Sequence, residues 1–93
     1  TDLYAAVKDV MSYLEYCGRK NVALYGVNPS STSDNIKLSA FEHKESVYYN
    51  LGDLSECRSR FLKDVHKYDA VICTNDYAAV SLISFLKRTT RAA

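Results

Sequence analysis

The 93-residue sequence has no tryptophan, one proline, three glycines and three cysteines. There are no internal repeats and no low-complexity stretches, and the composition is not that of a disordered chain. Cys17, Cys57 and Cys73 are odd in number and too far apart for the usual zinc or redox spacings, which fits a reduced, cytoplasmic setting. No apolar run approaches the roughly 20 residues that span a bilayer, and the opening "TDLYAAVKDV" carries no basic leader or small-residue cleavage site. An excess of charge is missing too. Twelve Lys and Arg face eleven Asp and Glu, for a net charge of +1, and the basic residues form no stripe, which argues against nucleic-acid binding by this segment itself. A GxxxxGK[ST] phosphate cradle is absent. With no initiator methionine, the chain reads as a piece of a longer protein.

What is present is an ordinary globular composition, 47% hydrophobic and 25% charged, in a chain long enough for one domain at most, residues 1–93. Leu3, Val7, Val10, Met11 and Leu14 recur at helical spacing between a capping Asp2 and a terminating Gly18. "NVALYGV" (21–27) is unbroken apolar sequence, suited to a strand covered on both faces. The polar "NPSSTSD" (28–34) turns the chain into a short helix through about Glu42, capped by Ser33 or Asp34 and burying Leu38 and Phe41. "SVYYNL" (46–51) is a shorter, more mixed strand. Asp53 and Glu56 open a helix over 53–67 with Leu54, Cys57, Phe61, Leu62 and Val65 as its apolar face. "DAVIC" (69–73) is a third strand, and Ala79, Val80, Ile83 and Leu86 define a last helix.

Alternation of this kind implies an α/β fold: a three-layer α-β-α arrangement with a parallel sheet and right-handed crossovers. If the most apolar strand is central, the order is 2-1-3. That order has a switch point between strands 1 and 3, where the loops leaving their carboxyl ends diverge and open a crevice. Those loops are 28–34 and 74–76.

Candidate ligand-binding residues follow from that geometry: Asn28, Ser31 and Ser33 from the first loop, Lys37 one turn into its helix, and Asn75 and Asp76 from the second. Asn75 can donate and accept toward a hydroxylated ligand, whereas Asp76 serves equally as a helix cap. The serine-rich loop leads into a helix N-terminus, which favours anionic or hydroxyl-rich groups; its plain alternative is a solvated turn. His43 and His66 have no helical partner, Cys73 reads as a small hydrophobe, and no nucleophile, base and orienter set assembles from spacing. The eight tyrosines are spread as packing groups rather than as a stacking platform.

The stretches "GRKNVALYGV", "SSTSDNIKLSAF" and above all "YDAVICTNDYAAVSLISFLK" resemble, in order and over most of the chain, the LacI/GalR family of bacterial transcriptional regulators. The likeness is to the C-terminal subdomain of their effector-binding region, which has the type I periplasmic-binding-protein fold. The resemblance implies a non-enzymatic, Rossmann-like subdomain forming half of a cleft for a small-molecule effector, a sugar or sugar derivative, with Asn75 facing the cleft. It implies homodimers, no cofactor or metal, and contact with operator DNA only through a domain outside this sequence, as the N-terminal subdomain also is. Two other readings stay open: a lobe of a solute-binding receptor, and a small receiver-like or enzymatic domain using Asp76, for which Asn28 stands where a metal-binding carboxylate is needed.

Overall fold

The structure, a computed structural model, describes residues 2–92, with side chains as far as Lys87. Its elements are α1 (Leu3–Tyr16), β1 (Val22–Val27), α2 (Thr32–Ala40), β2 (Val47–Tyr49), α3 (Leu54–Asp64), β3 (Ala70–Cys73) and α4 (Asp76–Ala92), with single 3-10 turns at Lys44–Ser46 and Val65–Lys67. All three strands are parallel, and the sheet order is β2-β1-β3. The expected α/β architecture and strand order are therefore the observed ones.

The two crossovers run in opposite directions across the sheet, so a common right hand places α2 and α3 on opposite faces. The packing agrees. One face joins Val22, Leu24, Val27 and Phe41 to Met11, Leu14 and Leu38 of α1 and α2. The other joins Ala23 and Tyr25 to Cys57 and Phe61 of α3 and to Ala78 and Leu82 of α4. Every residue of β1 is buried, the expected state of a strand with neighbours on both edges and helices on both faces.

An irregularity in β1 falls at Gly26. Pairing with β2 runs Leu24 to Val47 and Tyr25 to Tyr48, then slips so that Val27 pairs with Tyr49. This bulge explains why Val27, at odd parity, shares a face with Val22 and Leu24. Gly26 has φ +88°, a conformation that an L side chain resists.

Several boundaries differ from expectation. Ser31, not Ser33 or Asp34, caps α2, which ends at Ala40 rather than Glu42. α3 stops at Asp64, its last predicted turn tightening into a 3-10 turn that leaves Val65 exposed. The largest correction concerns α4. Its buried positions are Ala78 and Leu82, while Val80 is 62% and Ile83 52% exposed. The reason lies in β1. Gly26 has no side chain, so Ala78 can approach closely: a Cβ at Gly26 would lie 3.1 Å from that of Ala78 and 3.4 Å from Thr74 Oγ1. That contact fixes the rotation of α4 and turns Val80 and Ile83 outward.

Candidate functional site

Because every helix except α1 follows a strand, the N-termini of α2 and α4 both sit at the carboxyl end of the sheet, the end at which open α/β sheets bind ligands. β1 and β3 are adjacent there, and Thr74 ties the two chain segments together. Its amide donates to the Tyr25 carbonyl at 3.2 Å and its buried hydroxyl donates to the Gly26 carbonyl at 2.9 Å. From the other side, Lys37 Nζ donates to the Thr74 carbonyl. A single residue thus links β1, the β3–α4 turn and α2. The loops after strands 1 and 3 are neighbours.

The first loop is folded on itself by short-range bonds. Asn28 Oδ1 accepts from the Ser30 amide at 2.9 Å, an Asx turn. Ser31 Oγ accepts from the Asp34 amide at 3.2 Å and lies 3.1 Å from Ser33 Oγ. The Asp34 carboxylate, buried, accepts from the Asn28 amide at 2.9 Å. Asp34 was expected as a cap; it instead serves as the inward anchor of the loop.

In the second loop Asn75 Oδ1 accepts from the Ala78 amide at 2.8 Å, so Asn75, not Asp76, caps α4. Asp76 is the first helical residue and is exposed, where its charge complements the positive end of the helix. Asn75 is exposed as well. Its cap uses the side-chain oxygen and leaves the Nδ2 donors for other partners.

The six candidate residues thus fall into two groups on one rim. Lys37, Asn75 and Asp76 stand around Thr74. Asn28, Ser31 and Ser33 stand along the first loop. Two helix N-termini and the Lys37 ammonium stand beside the Asp34 and Asp76 carboxylates on this rim, and Asn75 adds amide donors. Such a surface suits hydroxyl-bearing or anionic small molecules. A cavity at this end lies elsewhere than between the loops that follow strands 1 and 3. It is a shallow space of ≈ 340 Å³ bounded by Asn28, Pro29, Ser30, Leu51 and Gly52, between the first loop and the β2–α3 connection. Between strands 1 and 3 the expected crevice is closed by the packing of Ala78 and Thr74 against Gly26.

Gly26 and Thr74 were not among the residues singled out, although the sequence holds a signal for one of them: a glycine inside an apolar strand marks a bulge or a close approach. Thr74 could be placed only by knowing which carbonyls lie across from it.

Away from the rim, the nucleophilic and basic side chains serve packing or lie exposed. Burial pushes the Cys57 and Cys73 thiols up, which disfavours a reactive thiolate, and the Cys57 thiol donates to the Tyr48 carbonyl at 3.6 Å. His43 packs edge-on to Phe41, with ring centroids 5.7 Å apart. His66 is exposed in the turn after α3. Among the described residues no three His, Cys, Asp or Glu side chains converge as a metal site, and no helix is long and apolar enough to cross a membrane. No family model, no curated protein and no solved structure matches the chain.

Proposed function

We propose that this chain forms one half of a small-molecule effector cleft, as the C-terminal subdomain of a LacI-type transcriptional regulator does, with a sugar or sugar derivative as the ligand class. The observation that carries the reading is the tie of Lys37 to the Thr74 carbonyl, which draws α2 against the β3–α4 turn beside the central strand. Lys37 and Asn75 supply the donors to ligand hydroxyls. Asp76 supplies an acceptor. Asn28, Ser31 and Ser33 line the adjoining rim.

Half a cleft binds weakly. A second lobe closing over the same rim would add contacts from the opposite side, and the ligand would then favour the closed arrangement by its differential affinity for it. In a DNA-binding regulator that closure is passed to attached operator-binding domains. The reading makes the chain non-catalytic, cytoplasmic and without cofactor.

Titration of aldohexoses and their phosphates into the isotope-labelled chain, followed by amide NMR, tests the proposal. The expected result is fast-exchange shifts at Asn28, Ser31, Lys37, Asn75 and Asp76, with affinities in about the millimolar range. Shifts confined to the opposite end of the sheet, around Lys20, His43 and Lys67, would reject this rim as the site.

A further inference from the structure

A second concave surface lies at the amino end of the sheet, along α1. It is an open groove of ≈ 290 Å³. Lys8, Met11 and Glu15, three and four residues apart, share one stripe of α1 and form its first wall. Glu42 and His43, in the connection after α2, belong to the second, and Arg19 and Lys20 follow α1 at the Glu15 end. Lys8 meets Glu42 at 3.0 Å, an ion pair that straps the two walls together. Met11 packs on the core cluster of β1 and α2 and gives the groove an apolar floor.

The other charges of the groove have no such use. Cations gather at helix carboxyl ends because they can bond the last carbonyls, but here that role is filled. The amides of Cys17, Gly18 and Arg19 donate to the carbonyls of Tyr13, Glu15 and Leu14 at 3.0, 2.9 and 2.8 Å, and Lys44 Nζ donates to the Leu38 carbonyl of α2. Glu15, Arg19, Lys20 and His43 remain. Among the described residues, no hydrogen bond or ion pair engages the side chains of these four. Opposite charges therefore face one small space without touching each other.

The sign pattern selects the ligand. An anion sets its charge against Glu15, and a cation sets its own against Arg19 and Lys20, so each leaves a repulsion that counts against it. A neutral polyol uses none of the charges. A zwitterion answers both signs. We propose that this groove binds a free α-amino acid with an apolar side chain. The carboxylate lies on Arg19, Lys20 and His43, where the guanidinium offers a paired set of donors; the ammonium lies on Glu15, and the side chain rests on Met11. A cavity of this volume is about 8 Å across, so both charged groups of so small a molecule reach its walls. The groove is at the opposite end of the sheet from Lys37 and Asn75, and the two sites stand or fall independently.

Titration of leucine into the isotope-labelled whole chain, followed by NMR, tests the proposal, with leucinamide and N-acetylleucine as probes that lack one charge each. Leucine is expected to shift Glu15, Arg19, Lys20 and His43 with a dissociation constant of about 1 mM, and both analogues to bind at least about tenfold more weakly. Glu15→Gln and Arg19→Gln, at exposed positions, leave the melting curve measured by circular dichroism unchanged and each weaken leucine binding about tenfold. Glu15→Gln does not weaken N-acetylleucine, which has no ammonium to lose. An absence of shifts in the groove at about 20 mM leucine, shifts confined to the Lys37 and Asn75 rim, or N-acetylleucine binding as tightly as leucine, as a groove for peptide carboxyl ends requires, would each overturn the proposal.

Discussion

The two ends of the sheet use polar residues in opposite ways. At the amino end, the Tyr48 hydroxyl donates to Asp64 Oδ2 at 2.9 Å and lies 2.6 Å from the Tyr68 hydroxyl. Asp64 in turn pairs with Lys67 at 3.3 Å. These contacts link β2, the end of α3 and the segment entering β3, and they brace an aromatic cluster in which Tyr48 and Tyr68 both meet Phe61. At the carboxyl end, the bonds of the first loop span two, three or six residues, and longer reaches are made by Lys37 and Thr74, by the Asn50 amide to the Val27 carbonyl and by Arg60 to the Tyr49 carbonyl. Polar side chains at the amino end therefore join elements across the sheet, while those of the first loop at the carboxyl end mostly shape the loop itself. A cavity of ≈ 580 Å³ opens at the amino end, so volume by itself does not separate a binding rim from a structural junction.

The comparison is sharpest at Gly26, where the sheet meets the rim. Gly26→Ala forces a methyl group into the left-handed region and against Ala78, an expected loss of about 3 kcal/mol from backbone strain and overpacking together, measured by urea unfolding. A cost below about 1 kcal/mol would mean that the bulge is not needed to seat α4.

Tyr48→Phe addresses the amino end. Loss of the hydroxyl removes the bond to Asp64 and is expected to cost about 1–2 kcal/mol without altering ligand affinity. The same junction sets the pH limits of the fold. Burial, and then its bonds to Tyr68 and Asp64, raise the Tyr48 phenol above its ordinary range, and burial raises Tyr25 to about 12. Groups raised in the folded state contribute fully below the unfolded tyrosine pKa of about 10, and that contribution is lost as pH rises through the folded values. Asp64 is held below its usual range, chiefly by the Tyr48 hydroxyl. Its contribution is present above the unfolded carboxylate pKa of about 4 and is lost as pH falls through the folded value. In thermal melts from pH 3 to pH 11 the deficit of Tyr48→Phe relative to wild type should be largest near neutral pH and shrink toward both limits.

Smaller effects separate cap from ligand contact at Asn75. Asn75→Ala removes the bond to the Ala78 amide and is expected to cost about 1 kcal/mol. Asn75→Asp keeps a good cap, so stability changes by less than about 0.5 kcal/mol, yet it removes the amide donors and should abolish binding of a hydroxylated ligand. Equal binding by wild type and Asn75→Asp would leave Asn75 with a capping role alone.

The strand order is legible in the sequence because three apolar segments alternate with helical ones and the longest of them lacks polar positions, which requires cover on both faces. The proximity of the two loops follows from that order. The rotation of α4 is not legible, since Val80 and Ile83 fit an apolar face as well as Ala78 and Leu82 do. Their sorting depends on a contact with Gly26, distant in sequence, and on β3 being an outermost strand. Caps are visible only by class: Asn75 and Asp76 both have the chemistry, and which of them turns toward the Ala78 amide is settled by where the strand ends. The paired tyrosines of the amino-end junction are equally silent in the sequence, because tyrosines twenty residues apart carry no periodic signal.

The account rests on Lys37 and Asn75 acting on one ligand from two sides of the Thr74 carbonyl. Calorimetric or NMR affinities of wild type, Lys37→Met, Asn75→Asp and the double variant for the aldohexose that shifts the rim most test this directly. Each single change is expected to weaken binding about tenfold or more, and the double change to cost a different amount from the sum of the two, as for groups that share a ligand. Affinity unchanged by both single substitutions would contradict the account.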